Sequence, residues 1–453
     1  MRGLTTITAA AILMMATLAL GCDNTSQSQV TDTSLRREME LLASEHDLNA
    51  MLSRGGEGIV DWQLSREFAQ LALEDFISAG DFPTSATLWE IPIAIYDAEG
   101  TVRYYEFRVM DGERVVAAIA GNAREDLGGP IARVFPMDGY MDELSQLYLT
   151  GELDKDDIPR IVDDDYPSHA VASVSVSRGG SVEFQRVLDP ATGEDAGELA
   201  RVLTAEEMLE QHPELARQLD TAAMEAELAA WREETAQLWS MAKANKGSLG
   251  SMAFRGRSRS EPRKSVDESR IRAADNYGIS VAKQDRKYRY PIRNGITYLA
   301  CGSTSAGFLL DFIHGNGLQN LSAWNNLSWS SRVDALESKM GIVTSGVFKG
   351  ATWPWNLGNA VASYSNYKVT LALGVVPNTC INNNLPGINL RGVSGLSQLT
   401  DGLHYRNVVA YDEKGWWIFK WSYIKIHDGN NIDGGWETYN PFYHFFSFNL
   451  MHK

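Results

Sequence analysis

Cysteine is scarce in this chain. Cys22, Cys301 and Cys380 are the only thiols in 453 residues, leaving room for at most one disulfide. No C-x-x-C pair and no H-E-x-x-H occurs, so no zinc signature is present, and there is neither a phosphate loop nor a dinucleotide fingerprint. No metal, nucleotide or other cofactor is expected. Positive charge is also in deficit, with 41 Lys and Arg against 58 Asp and Glu, and a net charge of -17 argues against a nucleic-acid partner. The apolar run at residues 7–20 is about fourteen residues, short of the roughly twenty that a membrane-crossing helix needs.

The chain does have the length for two or three domains and, at 44% hydrophobic, the apolar content to give them cores. Residues 1–21 combine Arg2, the apolar run and Gly21 in the order of a secretory signal. With Cys22 directly after the cut, the stretch resembles a bacterial lipobox, although Ala19 stands where Leu is usual. That resemblance implies lipidation at Cys22 and anchoring by two or three acyl chains, at about 0.8 kcal/mol per buried methylene. It also implies a place in the bacterial cell envelope, facing the periplasm or the exterior. An uncleaved membrane anchor is the alternative. Residues 22–34 read as a polar tether.

Four further segments follow. Residues 35–200 predict helices at 35–52 and 64–78, then strands at 88–96, 102–109 and 114–120 with turns at 97–100 and 111–112, an α+β arrangement. Residues 201–245 read as a helical connector, with a Thr204/Glu207 capping box and a stripe of Leu228, Trp231 and Leu238. Residues 246–285 form a basic linker carrying Arg255, Arg257, Arg259, Arg263 and Lys264, either plainly solvated or a cleavage site. Residues 286–453 form the last domain.

Its most informative residue is Cys301. Phe308, Leu309, Phe312 and Ile313 share one face at helical spacing, Ser303 and Thr304 suit a first turn, and Gly315 and Gly317 mark the exit. A thiol at that helix N-terminus meets unpaired N–H groups and the positive end of the dipole, which favour thiolate. A base stands about a hundred residues on. His404 opens a strand at 405–411, with a tight turn expected at 412–415 and a returning strand at 416–426. A cysteine on a helix and a histidine on a sheet can form a thiolate–imidazolium pair across a cleft.

Cys301-Gly302 opening a helix, with His404-Tyr405 followed by Val408, Val409, Tyr411 and Asp412, resembles the papain-like cysteine peptidases, especially streptopain-like and bacteriocin-processing peptidases. The likeness extends over residues 331–341, 350–352 and 356–360. Upstream, Tyr104-Tyr105-Glu106-Phe107 and Val115-Val116-Ala117-Ala118 resemble the propeptide domain of streptopain-like proteases. The resemblance implies a papain-like C-terminal domain, a helical half plus an antiparallel sheet, behind an α+β inhibitor-like domain acting as an intramolecular partner. It implies hydrolysis of peptide or protein substrates, with Cys301 as nucleophile, His404 as base and Asp428 orienting the imidazole. Trp421 occupies another plausible slot for that orienting group. Where the family has an oxyanion-donating Gln before the cysteine, Asn294 is the nearest amide.

Other readings stay open. If Cys22 is lipidated, Cys301 and Cys380 are an even pair and can form a disulfide. His427, beside Asp428, competes with His404 for the role of base. Eight of the twelve tryptophans fall in the last third (324, 329, 353, 355, 416, 417, 421 and 436), as core or as the lining of a groove. A catalytically inactive papain-fold surface protein binding peptide or glycan, and an amidase acting on cell-wall peptide, are the alternatives to a peptidase.

Overall fold

The computed structural model describes residues 32–54, 58–97, 100–135, 158–163, 169–176, 182–188, 201–202, 221–250, 263–275, 292–293, 296–297, 301–341, 354–373, 377–394, 402–416, 419–427, 435–439 and 446–453. Helices α1 (Asp32–Leu42) and α2 (Glu45–Arg54) replace the single helix expected at 35–52. The hydroxyl of Ser44 breaks it by accepting from the Asp47 amide at 3.3 Å, a local cap that starts a new helix. Helix α3 (Trp62–Ser78) is capped by Asp61, whose carboxylate accepts from the Gln63 amide at 2.8 Å. Its Leu64, Phe68, Ala69, Ala72, Leu73 and Phe76 recur at three- and four-residue spacing and are buried.

They pack on a meander of β1 (Thr87–Leu88), β2 (Ile93–Tyr96), β3 (Val102–Asp111), β4 (Arg114–Asn122) and β5 (Ile131–Phe135). The strand expected at 88–96 is split. Pro92 has no N–H for the ladder, so pairing resumes only at Ile93. A glycine is required at Gly121, because a Cβ there would meet the Ser65 hydroxyl on α3 at 2.1 Å.

Strands β6 (Ile158–Asp163), β7 (His169–Val176), β8 (Val182–Leu188) and β9 (Arg201–Val202) follow, then the connector helix α4 (Thr221–Ala244). The Thr204/Glu207 capping box lies outside the described residues. Trp239 on α4 is buried edge-on against Phe68 with ring centroids 5.8 Å apart, and its indole donates to the Gly128 carbonyl at 2.8 Å.

The segment expected as a linker is in part docked. β10 (Lys264–Ser265) pairs with residues 410–411, and α5 (Glu268–Asp275) lies on the helix at 301–315. The Asp267 amide donates to the Asn384 side chain at 2.8 Å, and Arg270 donates to the Asn384 carbonyl at 2.9 Å. Asn384 takes φ 57, and the amide side chain of asparagine eases that left-handed conformation.

After the short hairpin β11 (Ile292–Arg293) and β12 (Ile296–Thr297) comes α6 (Cys301–Gly315), beginning and ending where the sequence predicts. Phe308, Leu309, Leu310, Phe312 and Ile313 are all buried, so α6 is a core helix enclosed on every side. Each of these side chains contributes about 1.5–3 kcal/mol on leaving water. Asp311 holds the neighbouring helices α7 (Ser322–Asn325) and α8 (Trp329–Met340), accepting from the Trp324 indole at 2.7 Å and Arg332 at 3.1 Å. Helix α9 (Pro354–Tyr364), β13 (Tyr367–Leu373), α10 (Asn378–Asn382), β14 (Gly387–Ser394), β15 (Gly402–Trp416), β16 (Phe419–His427), β17 (Trp436–Thr438) and β18 (Phe446–His452) complete the chain.

Residues 412–415 are strand instead of the expected tight turn, and the hairpin closes at Trp416 paired with Phe419. Asp412 is not a turn residue because its carboxylate is buried against Arg263 at 3.0 Å.

Among the described residues one sheet of sixteen strands runs β13-β18-β14-β15-β16-β17-β5-β4-β3-β2-β6-β7-β8, with β1, β9 and β10 attached off that path. All its pairs are antiparallel except β2 with β6. The chain is therefore α+β, and β17 pairs directly with β5 of the upstream meander (Trp436 with Val134, Glu437 with Arg133).

Candidate active site

Polar groups in its first turns fix where α6 begins. Ser305, four residues after the start of α6, donates its hydroxyl to the Tyr405 carbonyl at 3.1 Å. In return Asn407 donates its side-chain amide to the Ser305 carbonyl at 3.2 Å. Both residues are buried, where an unpaired polar group costs about 1–3 kcal/mol, so the two bonds staple this turn to β15.

Farther along the helix, the Phe308 ring lies 4.8 Å from the His427 ring, and the Arg270 guanidinium sits 5.0 Å over Phe312. The chain leading to Arg270 is in turn tied to β15 by the Val266 amide, which donates to the Val409 carbonyl at 2.7 Å. Helix α6 thus runs along β15 from the Tyr405 level toward the Val409 level. Cys301 precedes Ser305 by about 6 Å of helix axis, and His404 precedes Tyr405 by about 3.4 Å of strand. The helix N-terminus and the start of the histidine strand meet at one end of the contact.

The register distinguishes the two histidines. His427 pairs with Asn407, on the sheet face that packs against α6, and its ring touches that helix. Phe308, however, is seven residues from Cys301, about 10 Å down the axis. His404 pairs with Arg391 and stands in the pleat position of Arg406, alternating with Tyr405 and Asn407. His427 therefore has the face and His404 the level. A base needs both, because a proton is handed over at about 3 Å. Of the other expected site residues, Asp428, Asn294 and Cys22 lie outside the described residues.

One upstream segment reaches the same end of the sheet. β9 pairs with β14, Val202 with Val393 and Arg201 with Ser394, while on its other side β14 pairs Val393 with Gly402 and Arg391 with His404. The backbone of residues 201–202 thus runs beside the strand that flanks His404.

Cys380 is a free thiol, so the bridge that three cysteines left open is not formed. It is buried in α10, its Sγ donating to the Pro377 carbonyl at 3.0 Å, and Gly387 passes so close that a Cβ there would lie 3.0 Å from the sulfur. Burial pushes this thiol up to about 12 from an ordinary value near 9.0, the reverse of what a nucleophile needs. Folding therefore favours the protonated sulfur. The associated stability is intact below pH about 9 and is lost as pH rises toward about 12, at up to about 1.4 kcal/mol per pH unit. Urea midpoints should fall more between pH 8 and pH 10 for the native chain than for Cys380→Ser, whose hydroxyl does not titrate there. Parallel pH dependences would show that Cys380 is not held as a neutral thiol. Tyr105 is also raised, chiefly by burial, and adds to the loss at still higher pH.

The structural role of Ser305 and Asn407 is not visible in the motifs that contain them. The signal available is a polar residue in an otherwise apolar stretch: Asn407 precedes Val408-Val409-Ala410, and Ser305 precedes Ala306 and Phe308. Among the described residues no group of three or more His, Cys, Asp or Glu is arranged to hold a metal ion, and no helix is long and apolar enough to cross a membrane. No family model matches the chain, and no curated protein matches it.

Proposed function

We propose that the protein is a lipid-anchored cysteine peptidase of the bacterial cell envelope, with papain-like chemistry at Cys301 and His404. The observation that carries this reading is the staple between Ser305, Tyr405 and Asn407, which brings the helix that opens at Cys301 to the strand position next to His404. In the proposed reaction the Cys301 thiolate attacks the carbonyl carbon of a peptide, and the oxyanion accepts from the backbone N–H of Cys301. The C–N bond breaks as the His404 imidazolium gives its proton to the departing amine. Water, losing a proton to the imidazole, then attacks the thioester, the C–S bond breaks, and the acid and the thiolate are released. Asp428 orients the imidazole. Residues 35–200 are the intramolecular partner, in keeping with the pairing of their β5 with β17.

A second reading, a non-catalytic surface protein binding peptide or glycan, is favoured by one observation: the pleat position of His404 alternates with that of Asn407 on the helix-packed face.

Thiol labelling separates the two. At pH 6 iodoacetamide should modify Cys301 about tenfold or more faster than free cysteine, since a thiolate stabilised by a helix N-terminus and an imidazolium persists below the free pKa of about 8.5. Cys380 should stay unmodified until the protein is unfolded. Peptide mapping assigns each label, and a Cys301 no faster than free cysteine would leave the binding-protein reading.

A further inference from the structure

We infer that the N-terminal region and the C-terminal domain are permanent partners, so that cutting the chain within residues 251–262 yields two polypeptides that remain one folded particle. The inference rests on the sheet and the core and does not depend on the peptidase reading.

The sheet is the first observation. β17 has β16 on one side and β5 on the other, so the two regions share a ladder across their junction. The Thr438 hydroxyl adds a donor to the Ile131 carbonyl across it. An antiparallel junction of this kind leaves no free strand edge at the seam, whereas separation would expose two there, each with unpaired N–H and C=O groups.

The core is the second. A single apolar cluster joins Phe68, Phe76, Trp239 and Leu249 from upstream to Ala410, Tyr423 and Trp436 from downstream. Phe76 is edge-on to both Tyr423 and Trp436, with ring centroids 5.9 Å and 6.0 Å away. All three rings are nearly inaccessible to water, as in the interior of a domain and unlike a wet contact between separable modules.

Third, each end of the connection is fastened. Before residue 251, the Gly247 amide donates to Glu67 of α3 at 2.7 Å and the Leu249 amide does so at 3.3 Å, while Lys246 pairs with Asp61. After residue 262, Arg263 pairs with Asp81 from upstream and, at 3.0 Å, with Asp412 from downstream, its guanidinium 4.3 Å over Trp436 and 5.2 Å over Phe76. Arg263 thus holds a residue of each region from a position beyond the cut. Cleavage at Arg255, Arg257 or Arg259 would therefore sever a tether and release neither partner. Any relief of inhibition by the upstream region has to come from rearrangement within the particle, such as displacement of β9, rather than from departure.

The test uses the full chain with a site-specific protease sequence substituted into residues 251–262, folded first and then cut to completion. At about 0.1 µM, both fragments should elute together from size exclusion with the mass of the uncut chain by light scattering, separating only in denaturant. Two peaks under native conditions would overturn the inference. In the same background, Arg263→Ala should weaken fragment association about tenfold, read as a lower urea midpoint for separation, because it removes the ion pair with Asp81 and the contact with the Phe76 ring, both on the upstream fragment. An unchanged midpoint would refute Arg263 as the fastening.

Discussion

His404→Ala should give a folded protein with no measurable peptide turnover and no rapid alkylation of Cys301 at pH 6, while His427→Ala keeps most of both. The contrast follows from distance along α6. The imidazolium that stabilises the sulfur is also the proton donor to the leaving amine, so one substitution removes two functions, and general acid–base assistance alone accounts for about 10²–10⁴ in rate. His427 packs against Phe308, about two helical turns from Cys301, so its loss removes packing at a distance from the sulfur. Asp428→Ala should fall between the two, because orientation is lost while the imidazole remains. Steady-state kinetics on an unfolded protein substrate, paired with circular dichroism to verify folding, read the series. An active, folded His404→Ala variant would refute the site as drawn. An inert His427→Ala variant with normal stability would move the base one strand onward, to the face that His427 already occupies.

Local chemistry in the sequence went far in the C-terminal half. The limits of α6 and the strand after His404 can be read from Ser303, Thr304, Gly315 and the run of β-branched and aromatic residues. Two of the mistaken expectations share a cause, which is that a residue's usual local preference yielded to a distant partner. Asp412 looks like a turn residue until Arg263, 149 residues earlier, claims its carboxylate. Residues 263–275 look like solvated linker because their anchors, Val409, Asn384 and Asn316, are far along the chain. The junction of β5 with β17 had no sequence signal at all, since pairing between residues some three hundred apart is written in register and not in composition. For the site, the sequence supplied the two candidate side chains and their elements, whereas the pleat phase that sets His404 against His427 required the ladder.

That ladder also carries the most consequential ion pair near the site. Arg406, two residues beyond His404, reaches across β16 to Glu437 on β17 at 2.6 Å and donates to the Asn389 side chain on β14 at 3.2 Å. It thereby links the candidate histidine strand to the strand that receives the upstream sheet. All three residues are buried, Arg406 at 3% exposure and Glu437 at 6%, so removing one charge strands the other away from water. Arg406→Met alone should destabilise the protein by about 3–5 kcal/mol, against about 0–1 kcal/mol for a surface pair. Arg406→Met with Glu437→Met should recover most of that loss, because no uncompensated charge remains and the two thioether side chains can fill the space. Urea unfolding of both variants measures it. A single variant that loses less than about 1 kcal/mol would mean that the pair is solvated, and a double variant no better than the single would mean that the bond to Asn389 or the packing, not charge burial, sets the cost.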